Sequence, residues 1–198
     1  MSLSRHPEKL ALMLLALLSG AAAQAEDAPA RPPPGTMPAV AHTTEPAACS
    51  PDGEFHAIAD ASGRIRYGRT HDGATLRTFY HCRPRRLSFS PDGRWLAATG
   101  AAQGHPARLK VWRLADGALL CWVETRAGSE PLLSFSPDGR LLASTHEGRQ
   151  IHVWQLPEGT LALSATATAP VSAPAFSPAG TALIALLADG GIRRFPAP

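Results

Sequence analysis

The chain has 198 residues, a formal net charge of +3 and a hydrophobic fraction of 44%, which fits one domain with a buried core. Lys9 and Lys110 are its only lysines, and its arginines are spread over many turns. A nucleic-acid-binding surface needs basic residues clustered on one face, so nucleic acid is not an expected partner.

The N-terminus differs in kind from the rest. Arg5, His6 and Lys9 precede an uncharged run, LALMLLALLSG (Leu10 to Gly20), and AAAQAED follows with small residues at Ala23 and Ala25. A basic start, a short apolar stretch and a small-residue cleavage site predict a secretory signal peptide over 1–25. The apolar run is shorter than the roughly 20 residues a membrane-spanning helix needs, so no stable membrane insertion is expected after cleavage. No cysteine ends the apolar run, which argues against lipid attachment. The mature chain is expected to start near Glu26 in a bacterial periplasm or outside the cell. Residues 26–46 form a proline-rich linker, stiffened by Pro32 to Pro34. Its segment 37–42, MPAVAH, is short enough to be an edge strand at best because of Pro38.

A repeat then takes over. The motif serines Ser50, Ser90, Ser136 and Ser177 lie 40, 46 and 41 residues apart, in ACSPDG, LSFSPDG, LSFSPDG and PAFSPAG. A period near 40 predicts stacked or radial repeats, here about 47–86, 87–131, 132–172 and 173–198. Serine, proline and glycine at the first, second and fourth positions favour a type I turn. That assigns Pro51, Asp52 and Gly53, Pro91, Asp92 and Gly93, and Pro137, Asp138 and Gly139 to structural turns. Alternating residues on either side predict antiparallel strands. Each unit continues through a second turn, then a third strand (RIRYG, RLKVW, QIHVW, GIRRF) and, in the first three units, a fourth strand. The fold class expected is all-β: a β-propeller-like array of about four four-stranded antiparallel blades. The longer second period is placed in AAQGHPA, Ala101 to Ala107, a turn that tolerates insertion.

The stretches FSPDGRWLAATG, RLKVWRLADGALL and FSPDGRLLASTHEGRQIHVWQLPEGTL resemble WD-repeat propeller blades, with Trp112 and Trp154 at that family's tryptophan position. The resemblance covers about Cys49 to Phe195 and implies a protein-interaction scaffold. It departs from the family at Arg113 and Gln155, which stand where an Asp follows the Trp, and at Gly68 and Phe195, which replace the Trp in the outer units. The opening Gly-His pair is absent. The family's hydrogen-bonded Asp-His-Ser-Trp arrangement is therefore not expected, and apolar packing is expected to hold the blades. The fourth unit ends without its fourth strand; residues 37–42 would supply it, or a second copy would complete the ring as a homodimer.

No catalytic, cofactor or metal set stands out. Cys49 occupies the place of Phe89, Phe135 and Phe176 and is expected in the core; Cys82 and Cys121 are placed on outer strands too far apart to bridge. The histidines lack metal-ligand spacing and read as scattered surface residues, with His146 and His152 facing across one hairpin. Trp95 and Trp122 read as packing residues. One cluster breaks the pattern: Arg83, Arg85 and Arg86 in FYHCRPRRL, expected in the loop between two blades, where they would grip an acidic partner. His105, in AAQGHPA, is the other candidate contact. The chain is thus expected to be a non-enzymatic exported scaffold, without cofactor, that binds another envelope or secreted protein. The alternatives are a periplasmic ligand-binding or enzymatic propeller with its site in the central channel, and a shortened relic of a longer propeller.

Overall fold

The computed structural model describes residues 45–101, 105–127 and 130–198, without the side chains of 122 and 125–127. The signal peptide, nearly all of the linker and the segment 37–42 lie outside these residues.

Strands β1 (Ala47–Cys49), β2 (Phe55–Ala59), β3 (Arg64–Arg69) and β4 (Thr75–Tyr80) form the first sheet. The second holds β5 (Pro84–Phe89), β6 (Trp95–Gly100), β7 (Pro106–Arg113) and β8 (Leu119–Ala127). The third holds β9 (Leu133–Phe135), β10 (Leu141–His146), β11 (Gln150–Gln155) and β12 (Thr160–Thr166). The fourth has three strands, β13 (Val171–Phe176), β14 (Ala182–Leu187) and β15 (Ile192–Pro196). Every sheet is an antiparallel meander in chain order, as the propeller reading requires.

The repeated motif is the turn between first and second strands. Gly53, Gly93, Gly139 and Gly180 each donate a backbone N–H to the carbonyl of the serine three residues earlier, at 2.8–3.0 Å. Each of these glycines has φ near +70°, a region that costs a side chain and costs glycine nothing. The serine hydroxyl then clamps the turn from both sides. Ser50, Ser90 and Ser136 donate to Asp52, Asp92 and Asp138 at 2.5, 2.5 and 2.6 Å. The same hydroxyls accept the N–H of Phe55, Trp95 and Leu141 at 2.9, 3.0 and 2.8 Å. Ser177 keeps the second bond, from Ala182 at 3.1 Å, although Ala179 offers no carboxylate. The serines are structural clamps.

One row of side chains joins the sheets. Register places Phe89, Leu96 and Trp112 side by side across β5, β6 and β7. Phe135, Leu142 and Trp154 repeat the row in the third sheet, and Phe176, Leu183 and Phe195 in the fourth. Each row packs back on the preceding sheet. One buried cluster joins the first row to Ala57, Ile65, Tyr67 and Phe79 of the first sheet. A second joins Leu142 to Trp95, Leu109 and Val111. A third joins Phe176 and Leu183 to Ala143, Ile151 and Val153. Four sheets thus have three interfaces; among the described residues no buried cluster joins the fourth sheet to the first.

In the first sheet the corresponding row is Cys49, His56 and Gly68. This corrects the expectation for Cys49. It does stand at the phenylalanine position, but it is exposed, and among the described residues no sheet packs against it. Gly68 has no room for a larger residue: a Cβ there would lie 2.4 Å from the carbonyl oxygen of Ala74.

Candidate functional site

The first strands of successive sheets lie side by side, β1 against β5 and β9 against β13, so they line the axis of the array. This placement corrects the reading of the arginine cluster. β5 begins at Pro84, so Arg85 and Arg86 are residues of an axial strand and not of a connecting loop. Arg83 alone sits in the connection, in the left-handed backbone region at φ 45°. The ladder starts this early because Pro84 already pairs with Gly100.

Arg85, Arg86, Leu87 and Ser88 line a hollow of about 380 Å³ with Pro46, Ala47 and Leu133. Both guanidinium groups approach Glu130, Arg85 Nη1 at 3.8 Å from Oε2 and Arg86 Nε at 3.4 Å from Oε1. These are ion contacts and not hydrogen bonds, and the buried Oε1 keeps no hydrogen-bond donor. The arginine side chains remain 62% and 60% exposed. Most of their donor capacity is therefore free for an anionic group, for which the planar guanidinium is well shaped. Glu130 was missed in the sequence because it lies 44 residues from Arg86, next to the connection into the third sheet.

His105 is exposed immediately before β7, far along the chain from the arginines; residues 102–104 of its insertion lie outside the described residues. Nothing brings it to the Arg85 hollow. A broader depression of about 1030 Å³ is lined by the repeated turns, including Asp92, Arg94, Asp138 and Arg140. Its charges pair within each turn, Arg94 with Asp92 at 3.7 Å and Arg140 with Asp138 at 4.0 Å.

The histidines require a second correction. His81 and His146 are buried, at 3% and 4% exposure, and are not surface residues. His146 Nε2 lies 2.8 Å from Ser144 Oγ, which accepts a 2.9 Å hydrogen bond from Trp154 Nε1. A Trp–Ser–His chain, buried at Ser144 and His146 and half-buried at Trp154, thus holds the third sheet together beside its apolar packing, which the missing sequence signature did not predict. Its signal was present: Ser144 is two residues before His146 on one strand, and Trp154 is on the strand beside it. The rings of His146 and His152 face each other at 4.2 Å. Burial and the neighbouring His152 push His146 down to about 4, and burial lowers His152. Among the described residues no group of three metal-ligating side chains gathers.

All three cysteines are free. Cys121 is buried on β8, and burial raises its thiol to about 11, so it is an inert core residue. Cys82 is exposed in the connection between β4 and β5, not on a strand as expected. Trp95 is buried between the second and third sheets; Trp122 lies on β8, with its side chain outside those described.

Residues 73–113 and 133–155 match the model of the WD domain, G-beta repeat family. No curated protein matches the chain. A chain in the crystal structure of the mitotic checkpoint complex is similar at 20% identity, with a TM-score of 0.57, over 77% of this chain and 48% of that one. At that identity the likeness is one of fold, and this chain spans about half the length of the chain it matches. The matched segments run from β4 to the end of β7 and from β9 to the end of β11. Two segments in the middle of the chain thus match WD-type repeats, and the described residues form a propeller-like array of antiparallel sheets whose outer members follow the same plan.

Proposed function

We propose that the protein is an exported, non-enzymatic scaffold that holds an acidic segment of another envelope or secreted protein against the axial strand β5. One observation carries this reading: Arg85 and Arg86 stand together over a partly apolar hollow with most of their surface exposed. WD-type repeats are a common platform for protein interaction, and the signal-like N-terminus supports reading the platform as exported. A ring completed by a second copy would set a fourth sheet against Cys49, His56 and Gly68, where the aromatic row is missing. Closure by a second copy is therefore disfavoured.

Affinity capture of the tagged chain from its own cell envelope tests it. A partner recovered in stoichiometric amount, and lost on Arg85→Ala with Arg86→Ala while the melting temperature is unchanged, is the expected result. Bait recovered alone sinks it. A second reading, a small anionic ligand in the hollow, is favoured by the axial placement of both arginines in place of an outer loop. It predicts that inorganic phosphate or a small dicarboxylate raises the melting temperature of the wild type and not of the double variant.

A further inference from the structure

The outer edge of the fourth sheet offers a second, independent binding surface. In the first three sheets a fourth strand pairs along the third. Along β15 no strand among the described residues does so. Its backbone groups on that side lack ladder partners, and such an edge is a template for another strand.

The side chains along this edge define what fits. Arg193 pairs across the sheet with Ala185 and lies on the same face as Phe195, which pairs with Leu183. Arg194 pairs with Ile184 and shares the opposite face with Ile192, which pairs with Leu186. Ile192, Arg193 and Arg194 are all exposed, and among the described residues neither arginine has an ion pair. Arg194 stands where Tyr67, Val111 and Val153 are buried in the other sheets. A charge there keeps another blade from docking on this face. In the second sheet an arginine of the third strand is satisfied by the fourth: Arg108 Nε donates to Glu124 Oε1 at 2.8 Å.

We propose that β15 accepts an extended acidic segment of a partner protein as the fourth strand of this sheet. The segment reads apolar, acidic, acidic, apolar, with its carboxylates opposite Arg194 and Arg193 and its apolar residues opposite Phe195 and Ile192. Adjacent residues of a strand point to opposite faces, so the two carboxylates are consecutive, one meeting each arginine. Main-chain bonds supply affinity and the arginines supply selectivity. A second copy of the same edge would bring arginine against arginine, which disfavours self-pairing.

Fluorescence anisotropy of the full chain with a labelled Thr-Val-Glu-Glu-Val-Thr peptide tests this. The expected result is binding that weakens about tenfold or more on Arg193→Glu with Arg194→Glu, the double variant gaining the Thr-Val-Lys-Lys-Val-Thr peptide instead. Both positions are exposed, so the fold survives the change. N-methylation of one alternate set of peptide residues is expected to abolish binding, and of the other set to spare it. Equal binding of the two methylated forms, or of the acidic and lysine peptides, overturns the proposal. So does loss of peptide binding in Arg85→Ala with Arg86→Ala, which would place the peptide at β5. Tighter binding after removal of residues 1–44 would give the edge to the chain's own N-terminal segment. A concentration-dependent dimer that the acidic peptide does not dissociate would give it to a second copy.

Discussion

Ser144 carries more than its size implies. Its hydroxyl links Trp154 Nε1 to His146 Nε2 within the third sheet, with Ser144 and His146 buried and Trp154 half-buried. Ser144→Ala leaves both ring nitrogens without partners, a loss of about 1–3 kcal/mol, measurable by urea unfolding; Trp154→Phe in the same background adds less than it does alone. His146 gives the site a pH dependence. Its ordinary value of 6.5 falls to about 4 in the fold, so the unfolded chain takes up the proton first. Stability is full above pH 6.5 and is lost as the pH falls from there towards 4. His152 and His81, also lowered by burial, act in the same direction. The turn carboxylates Asp52 and Asp138 are held below the usual carboxylate range by Ser50 and Ser136, so they contribute only at lower pH. The urea midpoint is expected to drop between pH 7 and pH 5, and to drop less in His146→Asn.

The element that recurs is the clamped turn, and its four copies form an internal mutation series. The fourth turn closes with Ser177 and no carboxylate. The aspartate is therefore the lesser half of the clamp. Asp138→Ala is expected to cost under about 1 kcal/mol, and Ser136→Ala more, because the Leu141 N–H loses its acceptor. Ala179→Asp should raise the thermal midpoint by completing the missing bond. This part of the fold was legible from spacing alone, since serine, proline and glycine each have one conformational reason to be there. The position of β5 was not. A strand that opens on Pro84 and two arginines carries no alternation, and only pairing to Gly100 reveals it. The Trp–Ser–His chain escaped for a related reason: its serine and histidine share one strand, outside the spacing that the family signature describes.

At the scale of the molecule, each buried cluster among the described residues joins neighbouring sheets. Phe176 fills the third interface, at 5% exposure, while Cys49 occupies the same register position at an open end. Phe176→Ala is expected to cost about 3–5 kcal/mol and Cys49→Ala almost nothing, as thermal unfolding would show. Equal effects would mean that something covers the first sheet. The first and fourth sheets differ from the middle two in their own ways, one by Cys49, His56 and Gly68, the other by Arg194. Cys49 was misplaced in the sequence reading because register fixes which neighbour a side chain would meet, but not whether that neighbour exists.

The recurrence of a Phe-Leu-aromatic row at each interior junction makes blade number a variable of its own. A second copy of residues 133–170, spliced in ahead of β13, would set its own Phe135, Leu142 and Trp154 against Ala143, Ile151 and Val153 of the third sheet, a surface that now receives the matching row of Phe176 and Leu183, and would present at its back the surface that Phe176 already fits. The chain would grow by one unit while its first and fourth sheets, its basic axial strand and the β15 edge kept their own surroundings. Length in this architecture is set by duplication, and specificity by the positions at which the outer sheets depart from the row.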